Sequence, residues 1–488
     1  MLDQFRRLFK HSFVYAIGSL AQSIVGFILI PMYTRYLSPA DYGQLEILNT
    51  LILILSMLLS FGFASAIFKC YERDCKTDVE QKQLVGTAFL FIIPLAILST
   101  LVLWLFRDFI ANTFLGGTQY ANLVNLLLIT NLFAVFLALA FSVFRAEEKS
   151  VKYIIFSLLK FGLVLGLNIY FVAFAKMGVF GIMLGNFIAQ VFISVPFLFN
   201  LIPYLKLSFS KDLLRKLFAF GIPIIPASLA MWVMDLSDRY FLKVYDSLTE
   251  VGLYSLGYKI GFIVSILLVT PFQLAWPTIS FSVAKRNDTK QIYARTLTYW
   301  LLVSSFIALT ISIFAKQIVE VVSSPEYFDA YKIIPLIAFS YVLYGMHFVI
   351  VPGLHLEEKT KYYPLLVGIP AILNIILNII FIPKYGMMAA AWSTFVCFVL
   401  MVVLTYFVSN FYYKVVYEWM RIIKLVLISG GLLALSYLFN NYSFYTSILL
   451  NLCLLILFFI LLFATRFFRQ GEIGQIKLLL NQRRNTQK

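Results

Sequence analysis

Charged and metal-binding side chains are scarce in this 488-residue chain. Charged residues make up 13% of it, apolar residues make up 61%, and the mean hydropathy is +0.89. This composition excludes a water-soluble fold. The chain has only three histidines and four cysteines, and they show no zinc-binding spacing. We therefore expect free thiols, no bound metal and no cofactor.

Segments that could form a soluble catalytic domain are also lacking. The longest predicted outer connections, residues 107–120 and 316–331, have only about 15 residues each. No glycine is followed by lysine, so the phosphate-binding loop of ATP-hydrolysing proteins is absent. We expect that the protein is not an enzyme and that its function takes place within a helix bundle.

Long apolar runs dominate what is present. Stretches of about 18 or more apolar residues recur along the whole chain, and each can cross a bilayer. The predicted fold class is an all-α polytopic membrane protein with about 14 transmembrane helices. We place them at about residues 12–31, 44–66, 86–106, 121–143, 153–175, 178–202, 217–237, 251–272, 296–315, 333–354, 363–382, 386–408, 422–439 and 446–465.

The net charge of +16 is unevenly distributed. If the N-terminus is cytoplasmic, the inner connections and both termini hold about 29 of the 39 Lys and Arg residues. This asymmetry predicts both termini, and the loop with Cys70 and Cys75, on the cytoplasmic side. The basic excess indicates membrane topology and lipid contact rather than nucleic-acid binding.

The chain also repeats itself weakly at a spacing of about 209 residues. Two parallel six-helix repeats with a site between them are typical of transporters. The matches include Tyr36 with Tyr245, Gly43 with Gly252, residues 147–150 with 357–360, and Lys176 and Gly178 with Lys384 and Gly386.

The repeat defines the predicted domains. Residues 1–203 form an N-terminal six-helix lobe, and residues 217–408 form a C-terminal six-helix lobe. A basic cytoplasmic linker, 204–216, joins the lobes. Residues 409–465 add helices 13 and 14, and a basic cytoplasmic tail, 466–488, follows.

Three motifs of this sequence are specific enough to compare with known families. They are Pro31-x-Tyr33-Thr34-Arg35-Tyr36-Leu37-Ser38-Pro39-x-x-Tyr42-Gly43, Asp238-Arg239-Tyr240 followed by Val251-Gly252-Leu253-Tyr254-Ser255, and Ile382-Pro383-Lys384-Tyr385-Gly386. They resemble motifs of the polysaccharide-repeat-unit flippases, the O-antigen and capsule type of the polysaccharide transporter family, which belongs to the multidrug/oligosaccharidyl-lipid/polysaccharide exporter superfamily. Where the family usually has Gly-x-x-Gly-Ala-Ala, Ala389 replaces one glycine.

The resemblance implies a flippase in the bacterial inner membrane. Its cargo would be an undecaprenyl-diphosphate-linked oligosaccharide, moved from the inner to the outer leaflet by alternating access for O-antigen or exopolysaccharide synthesis. Membrane lipids, a polysaccharide polymerase and chain-length proteins are the implied partners. A lipid II flippase or a cation-coupled drug antiporter of the same superfamily stays open as an alternative. A membrane glycan polymerase or ligase is a remote one.

Charged residues inside predicted spans indicate a polar cavity, because such residues rarely face lipid. Lys259, with Tyr254 and Tyr258 beside it, lies roughly 12 Å along predicted helix 8. It is the first candidate for contact with a diphosphate or acidic sugar. The alternative is a salt bridge to Asp235 or Asp238.

The remaining candidates have less specific signals. Asp235 and Asp238 are candidates for coupling transport to an H⁺ or Na⁺ gradient. Arg239 follows Asp235 at the spacing of an intrahelical pair, and a structural pair, an outer-gate lock and direct cargo contact are its alternative roles. The further candidates are Arg35 and Glu46 as interfacial or gate residues, Lys160 as a cavity or snorkelling residue, and Tyr15, Ser19 and Gln22, whose shared polar face on predicted helix 1 either lines the cavity or packs against another helix.

Overall fold

The computed structural model describes residues 26–284, 286–439 and 442–469. Within these ranges the chain forms 20 α-helices and no strand. In chain order they are α1 (Ile30–Tyr36), α2 (Pro39–Leu59), α3 (Phe63–Arg73), α4 (Asp78–Leu105), α5 (Arg107–Ile110), α6 (Ala121–Ala146), α7 (Ser150–Ile169), α8 (Gly178–Leu201), α9 (Lys211–Gly221), α10 (Ile224–Leu236), α11 (Asp238–Tyr245), α12 (Leu248–Val264), α13 (Thr270–Val283), α14 (Thr289–Ile313), α15 (Ala315–Val322), α16 (Ile334–Ile350), α17 (Pro352–Leu356), α18 (Tyr363–Tyr412), α19 (Trp419–Ser436) and α20 (Phe444–Ala464).

Twelve helical stretches within the described ranges are long and apolar enough to cross a membrane. Predicted helix 1, at 12–31, lies mostly outside the described residues. Gly386, with a φ of 52° and a ψ of −136°, breaks α18 into two helical segments, which correspond to predicted helices 11 and 12. The all-α polytopic class is confirmed, whereas the count of about 14 stays a prediction.

Helix α2 begins at a capping box that the sequence encodes locally. The Ser38 hydroxyl accepts a hydrogen bond from the backbone N–H of Asp41, and the Asp41 carboxylate accepts one from the backbone N–H of Ser38. Pro39 lies in the first turn, where a backbone N–H has no acceptor within the helix, so proline costs no hydrogen bond there. These residues fix the start of the helix that carries Glu46.

One compact unit contains the described residues up to Lys259, together with Val322–Ala330 and Tyr363–Cys397. Helix α6 lies at its centre and packs against α2, α3, α4, α7 and α8. Phe144 of α6 stacks on Phe197 of α8 with ring centroids 4.5 Å apart. Such a buried aromatic pair stabilises the packing beyond the area it buries.

Helices α2 and α12 approach each other closely in the same unit. A Cβ atom built on Gly43 would lie only 1.9 Å from the backbone oxygen of Leu248. Glycine therefore permits a backbone contact that any side chain would prevent. This contact positions Glu46, one turn further along α2, beside the polar face of α12.

The second unit comprises Ile260–Val321, Tyr331–Tyr362 and the described residues from Phe398 onward. Helix α14 packs against α16 and α19. The indole N–H of Trp300 donates to the carbonyl of Val342 at 3.2 Å. The Glu418 carboxylate contacts Arg421 at 2.8 Å and Arg469 at 2.6 Å, which ties the start of α19 to the chain that follows α20.

The predicted linker 204–216 lies inside the first unit rather than between units. Its backbone is held against α4, because the N–H of Lys206 donates to the carbonyl of Lys82 at 3.1 Å. The N–H of Ser210 donates to the Thr87 hydroxyl at 3.2 Å. The division into lobes 1–203 and 217–408, with 409–465 and 466–488 added, stays a prediction.

Two equivalent turns support the repeat. Glu148 and Glu358, which match at a spacing of 210 residues, have φ angles of 52° and 54°. In each turn the backbone N–H of the following residue donates to a carbonyl of the preceding helix. Lys149 donates to Phe144 at 2.9 Å, and Lys359 donates to Leu354 at 2.8 Å. A positive φ is uncommon for residues other than glycine. Its recurrence at two matched positions therefore supports the repeat.

Candidate functional site

Helix α12 carries four polar side chains within two turns. Tyr254 and Tyr258 are four residues apart, as are Ser255 and Lys259, so each pair shares a helical face. Tyr254, Ser255 and Tyr258 are buried. Buried polar groups need hydrogen-bond partners, and α2, α10 and α11 provide them here.

Lys259 forms an ion pair with Glu46. Its Nζ lies 2.6 Å from Oε1 of Glu46 and donates to the hydroxyl of Tyr42 at 3.0 Å. The amide of Asn49 also donates to Oε1 of Glu46, at 3.3 Å. The alternative that Lys259 is bridged to Asp235 or Asp238 was wrong, because it considered only carboxylates close in sequence, while the partner lies 213 residues away.

The two members of this pair differ in exposure. The Glu46 side chain is 6% exposed and that of Lys259 is 24% exposed. Glu46 is therefore enclosed by its partners, while part of the ammonium group or its stem can still be reached. A charge at this depth is tolerated because its counter-charge is in direct contact.

Tyr42 extends the cluster toward the segment Val322–Ala330. Its ring meets that of Tyr327 edge to face, with centroids 6.0 Å apart. The Tyr327 hydroxyl donates to the carbonyl of Leu37 at 3.0 Å, and the Thr34 hydroxyl donates to that of Val322 at 2.9 Å. No feature of the sequence places Tyr327 near Tyr42. Tyr42 itself lies in the motif that ends at Gly43.

Asp238 is fully buried and accepts three hydrogen bonds, one from α12 and two from α18. Its donors are the hydroxyl of Tyr254 at 2.5 Å, the amide of Asn378 at 2.6 Å and the hydroxyl of Thr394 at 2.8 Å. Asn378 also donates to Oδ1 of Asn374 at 3.0 Å. Three donors satisfy an ionised carboxylate, so Asp238 joins α11, α12 and α18 through one acidic group.

Arg239 of α11 is 2% exposed, and its guanidinium contacts residues of α10 and α12. Its Nε donates to the Ser255 hydroxyl at 3.1 Å, and its Nη1 donates to the backbone carbonyl of Asp235 at 3.0 Å. The guanidinium also lies over the ring of Tyr258, 4.8 Å from the centroid. Arg239 and Asp235 thus interact at the predicted i, i+4 spacing, but through the backbone carbonyl of Asp235. The carboxylate of Asp235 accepts a hydrogen bond from the Tyr258 hydroxyl at 3.2 Å.

Arg35 and Lys160 are not part of this arrangement. Arg35 is exposed at the end of α1. Lys160 is partly exposed on α7 and has no hydrogen-bond or ion-pair partner among the described residues. Tyr15, Ser19 and Gln22 lie outside the described residues, so their predicted role is not tested. The described part of the chain holds no group of three His, Cys, Asp or Glu side chains that could bind a metal.

An apolar cavity of about 450 Å³ lies in the first unit. Its wall includes Thr50 of α2, one turn after Glu46, and Ser237, which precedes Asp238. No charged side chain lines it; most of the wall is aliphatic or aromatic, from α2, α6 and the α10–α11 region. The cavity therefore suits hydrocarbon rather than a sugar.

Sequence comparison gives the family. The sequence model described as polysaccharide biosynthesis protein matches residues 8–283, and the one described as MatE matches residues 223–380. A protein of the Lsg locus of Haemophilus influenzae is 26% identical over 275 residues. That match covers 54% of this chain and 63% of the relative, so the chain spans less than two thirds of that protein. The lipid III flippase of Escherichia coli is 24% identical over 67% of this chain and 85% of its own length.

Solved structures share the fold. Lipid II flippase MurJ, in an inward closed conformation, superposes with a TM-score of 0.73 at 18% identity, covering 93% of this chain and 99% of that one. An inward-facing multidrug resistance transporter of the MATE family has a TM-score of 0.67 at 13% identity, covering 81% and 94%. These named proteins are flippases and transporters rather than enzymes, as predicted for this chain. The chain belongs to the polysaccharide biosynthesis protein family.

Proposed function

We propose that the protein flips an undecaprenyl-diphosphate-linked oligosaccharide from the inner to the outer leaflet of the bacterial plasma membrane, for polysaccharide synthesis. The observation that carries this proposal is the intramembrane cation Lys259, which stays partly exposed although it is paired. The family match and the lipid III flippase relative support the cargo class. Alternating access between the leaflets is the proposed mode.

The cargo explains why a cationic site is needed. A glycan and a diphosphate cannot cross hydrocarbon with their polar groups unsatisfied. A lysine ammonium provides a compact positive charge and three donors for phosphate oxygens. Lys259 is therefore the proposed diphosphate contact, with Tyr254, Tyr258 and Arg239 fixing the helix that carries it.

Energy coupling is proposed for the acidic groups. Asp238 accepts hydrogen bonds from three donors on α12 and α18, so gaining or losing a proton or a bound Na⁺ would alter several contacts at once. Oxygen atoms of Asn374 and Thr394 lie in the same polar cluster. Asp235 is the second candidate. Dependence of transport on an H⁺ gradient or on a Na⁺ gradient would identify the ion.

Location and partners follow from the proposed activity. A multi-pass protein with both termini in the cytoplasm would receive cargo made on the inner face. Membrane lipids surround it, and a polymerase and chain-length proteins would use the glycan outside. Lys160, Arg35 and Glu46, with the polar face of Tyr15, Ser19 and Gln22, are kept as proposed cavity or gate residues.

The deciding experiment removes the protein and identifies the lipid-linked sugar that accumulates on the inner leaflet. A repeat-unit oligosaccharide supports the proposal. Accumulation of lipid II would instead favour the lipid II flippase alternative, which the fold similarity to MurJ keeps open. Loss of drug efflux without sugar accumulation would favour a drug antiporter.

A further inference from the structure

The proposed cargo contact of Lys259 does not explain how the site rejects other anions. Phospholipid headgroups carry phosphate and are the most abundant anions near any lipid-accessible cation. A bare ammonium would be occupied by a monoanionic phospholipid, because the phospholipid is far more abundant than the cargo. Rejecting it requires an element that lowers its affinity until it no longer fills the site.

Glu46 has the properties of such an element. Its carboxylate lies 2.6 Å from Nζ of Lys259 and is held there by Asn49, with little exposure of its own. It comes from α2, whereas Lys259 comes from α12, and the Gly43 contact fixes the two helices against each other. The carboxylate is thus positioned where a ligand anion would sit, without depending on the ligand.

We propose that Glu46 is a specificity-determining residue, an internal monoanion that any ligand must displace from Lys259. Exchanging one carboxylate for one phosphodiester keeps the charge against Lys259 unchanged, so a monoanionic phospholipid gains little. A diphosphate brings at least two charges and more acceptor oxygens, and it can outcompete Glu46. This inference rests on the proposed diphosphate contact of Lys259 and extends it to the rejection of bulk phospholipid.

The experiment measures binding to the full chain in nanodiscs of zwitterionic lipid. Direct binding is measured separately for farnesyl diphosphate and for short-chain phosphatidylglycerol, a monoanionic phosphodiester. We expect the wild type to bind farnesyl diphosphate and to bind phosphatidylglycerol only weakly. In Glu46→Gln, phosphatidylglycerol should bind about tenfold more tightly, in keeping with the coupling of close, desolvated charges. Glu72→Gln, at an exposed position of α3, is the matched control and should behave as wild type.

The outcomes separate the two proposals. If farnesyl diphosphate binding does not depend on Lys259, the proposed cargo contact fails. If binding depends on Lys259 but Glu46→Gln leaves the affinity for phosphatidylglycerol unchanged, only the inference about Glu46 is overturned. Should Glu46→Gln fail to fold, Glu46→Asp decides, because its shorter reach weakens the hold on Nζ and should give an intermediate affinity for phosphatidylglycerol. A wild-type affinity in Glu46→Asp would contradict the inference.

Discussion

Gly43 and Gly252 contact each other as equivalent residues of the two repeats. A Cβ on Gly43 would meet the backbone oxygen of Leu248 at 1.9 Å, and a Cβ on Gly252 would meet that of Pro39 at 2.0 Å. Leu248 lies 209 residues after Pro39, the same interval that separates the glycines. The contact is therefore reciprocal, as expected of surfaces related by a two-fold axis, and parallel repeats have such an axis along the membrane normal.

This reciprocity predicts equal effects of two substitutions. Gly43→Ala and Gly252→Ala each force the same backbone separation, so each should lower the free energy of unfolding by about 1–3 kcal/mol. Gly162→Ala on α7 is the control, since nothing lies within 4 Å of its Cβ position. Thermal unfolding of the purified proteins in detergent measures the effect. A large loss in one variant and none in the other would contradict the reciprocal contact.

A second prediction concerns the break within α18. Gly386 has a φ of 52° with a ψ of −136°, and a Cβ there would lie 2.9 Å from Oδ2 of Asp246. Alanine must adopt a conformation that L-residues avoid, at a cost of about 1–3 kcal/mol. Gly368→Ala, in the same helix with no atom within 4 Å, should leave the unfolding temperature unchanged or raise it. Equal unfolding temperatures for the two variants would show that the break is not needed.

A third prediction concerns membrane topology. Cys70 and Cys75 are buried, so impermeant thiol reagents are poor probes of their side. Glu72 and Thr118 are exposed and lie in loops or helix ends predicted on opposite faces. In intact cells, Thr118→Cys should react with an impermeant maleimide, and Glu72→Cys should react only after the cells are opened. Labelling of Glu72→Cys from outside would reject the predicted orientation.

The sequence predicted the membrane-spanning helices better than it predicted the site. Apolar run length alone places most spans, and equivalent turns at Glu148 and Glu358 follow the repeat. The partner of Lys259 could not be predicted, because Glu46 lies 213 residues away and only folding brings α2 to α12. Local spacing favoured Asp235 and Asp238 instead. Tyr327 was missed for the same reason.

A fourth prediction concerns Asp238. In Asp238→Asn one of the two acceptor oxygens becomes an NH₂ group, so the side chain cannot accept hydrogen bonds from all of Tyr254, Asn378 and Thr394. The free energy of unfolding should fall by about 1–3 kcal/mol. The repeat provides a comparison, since the position 209 residues earlier is Leu29 and needs no carboxylate. If Asp238 is the coupling group, Asp238→Asn should abolish gradient-dependent transport and leave cargo binding largely intact.

The test of this coupling role uses proteoliposomes with an imposed pH or Na⁺ gradient. Asp235→Asn is measured beside Asp238→Asn, because its carboxylate receives the hydroxyl of Tyr258 at 3.2 Å. Unchanged gradient dependence in both single variants would leave the two carboxylates as structural partners only.

The last prediction separates two roles of Lys259. Removing its ammonium in Lys259→Ala leaves Glu46 buried without its counter-charge, which typically costs about 3–5 kcal/mol. Protein level should therefore fall, and Lys259→Ala with Glu46→Ala should restore it. If Lys259 also contacts the cargo, the restored double variant should still fail to export glycan, while Lys259→Arg should keep part of the activity because the charge survives. Membrane protein level and surface glycan are measured in the same cells. Full export by the double variant would reduce Lys259 to a partner of Glu46 and would remove it from the cargo site.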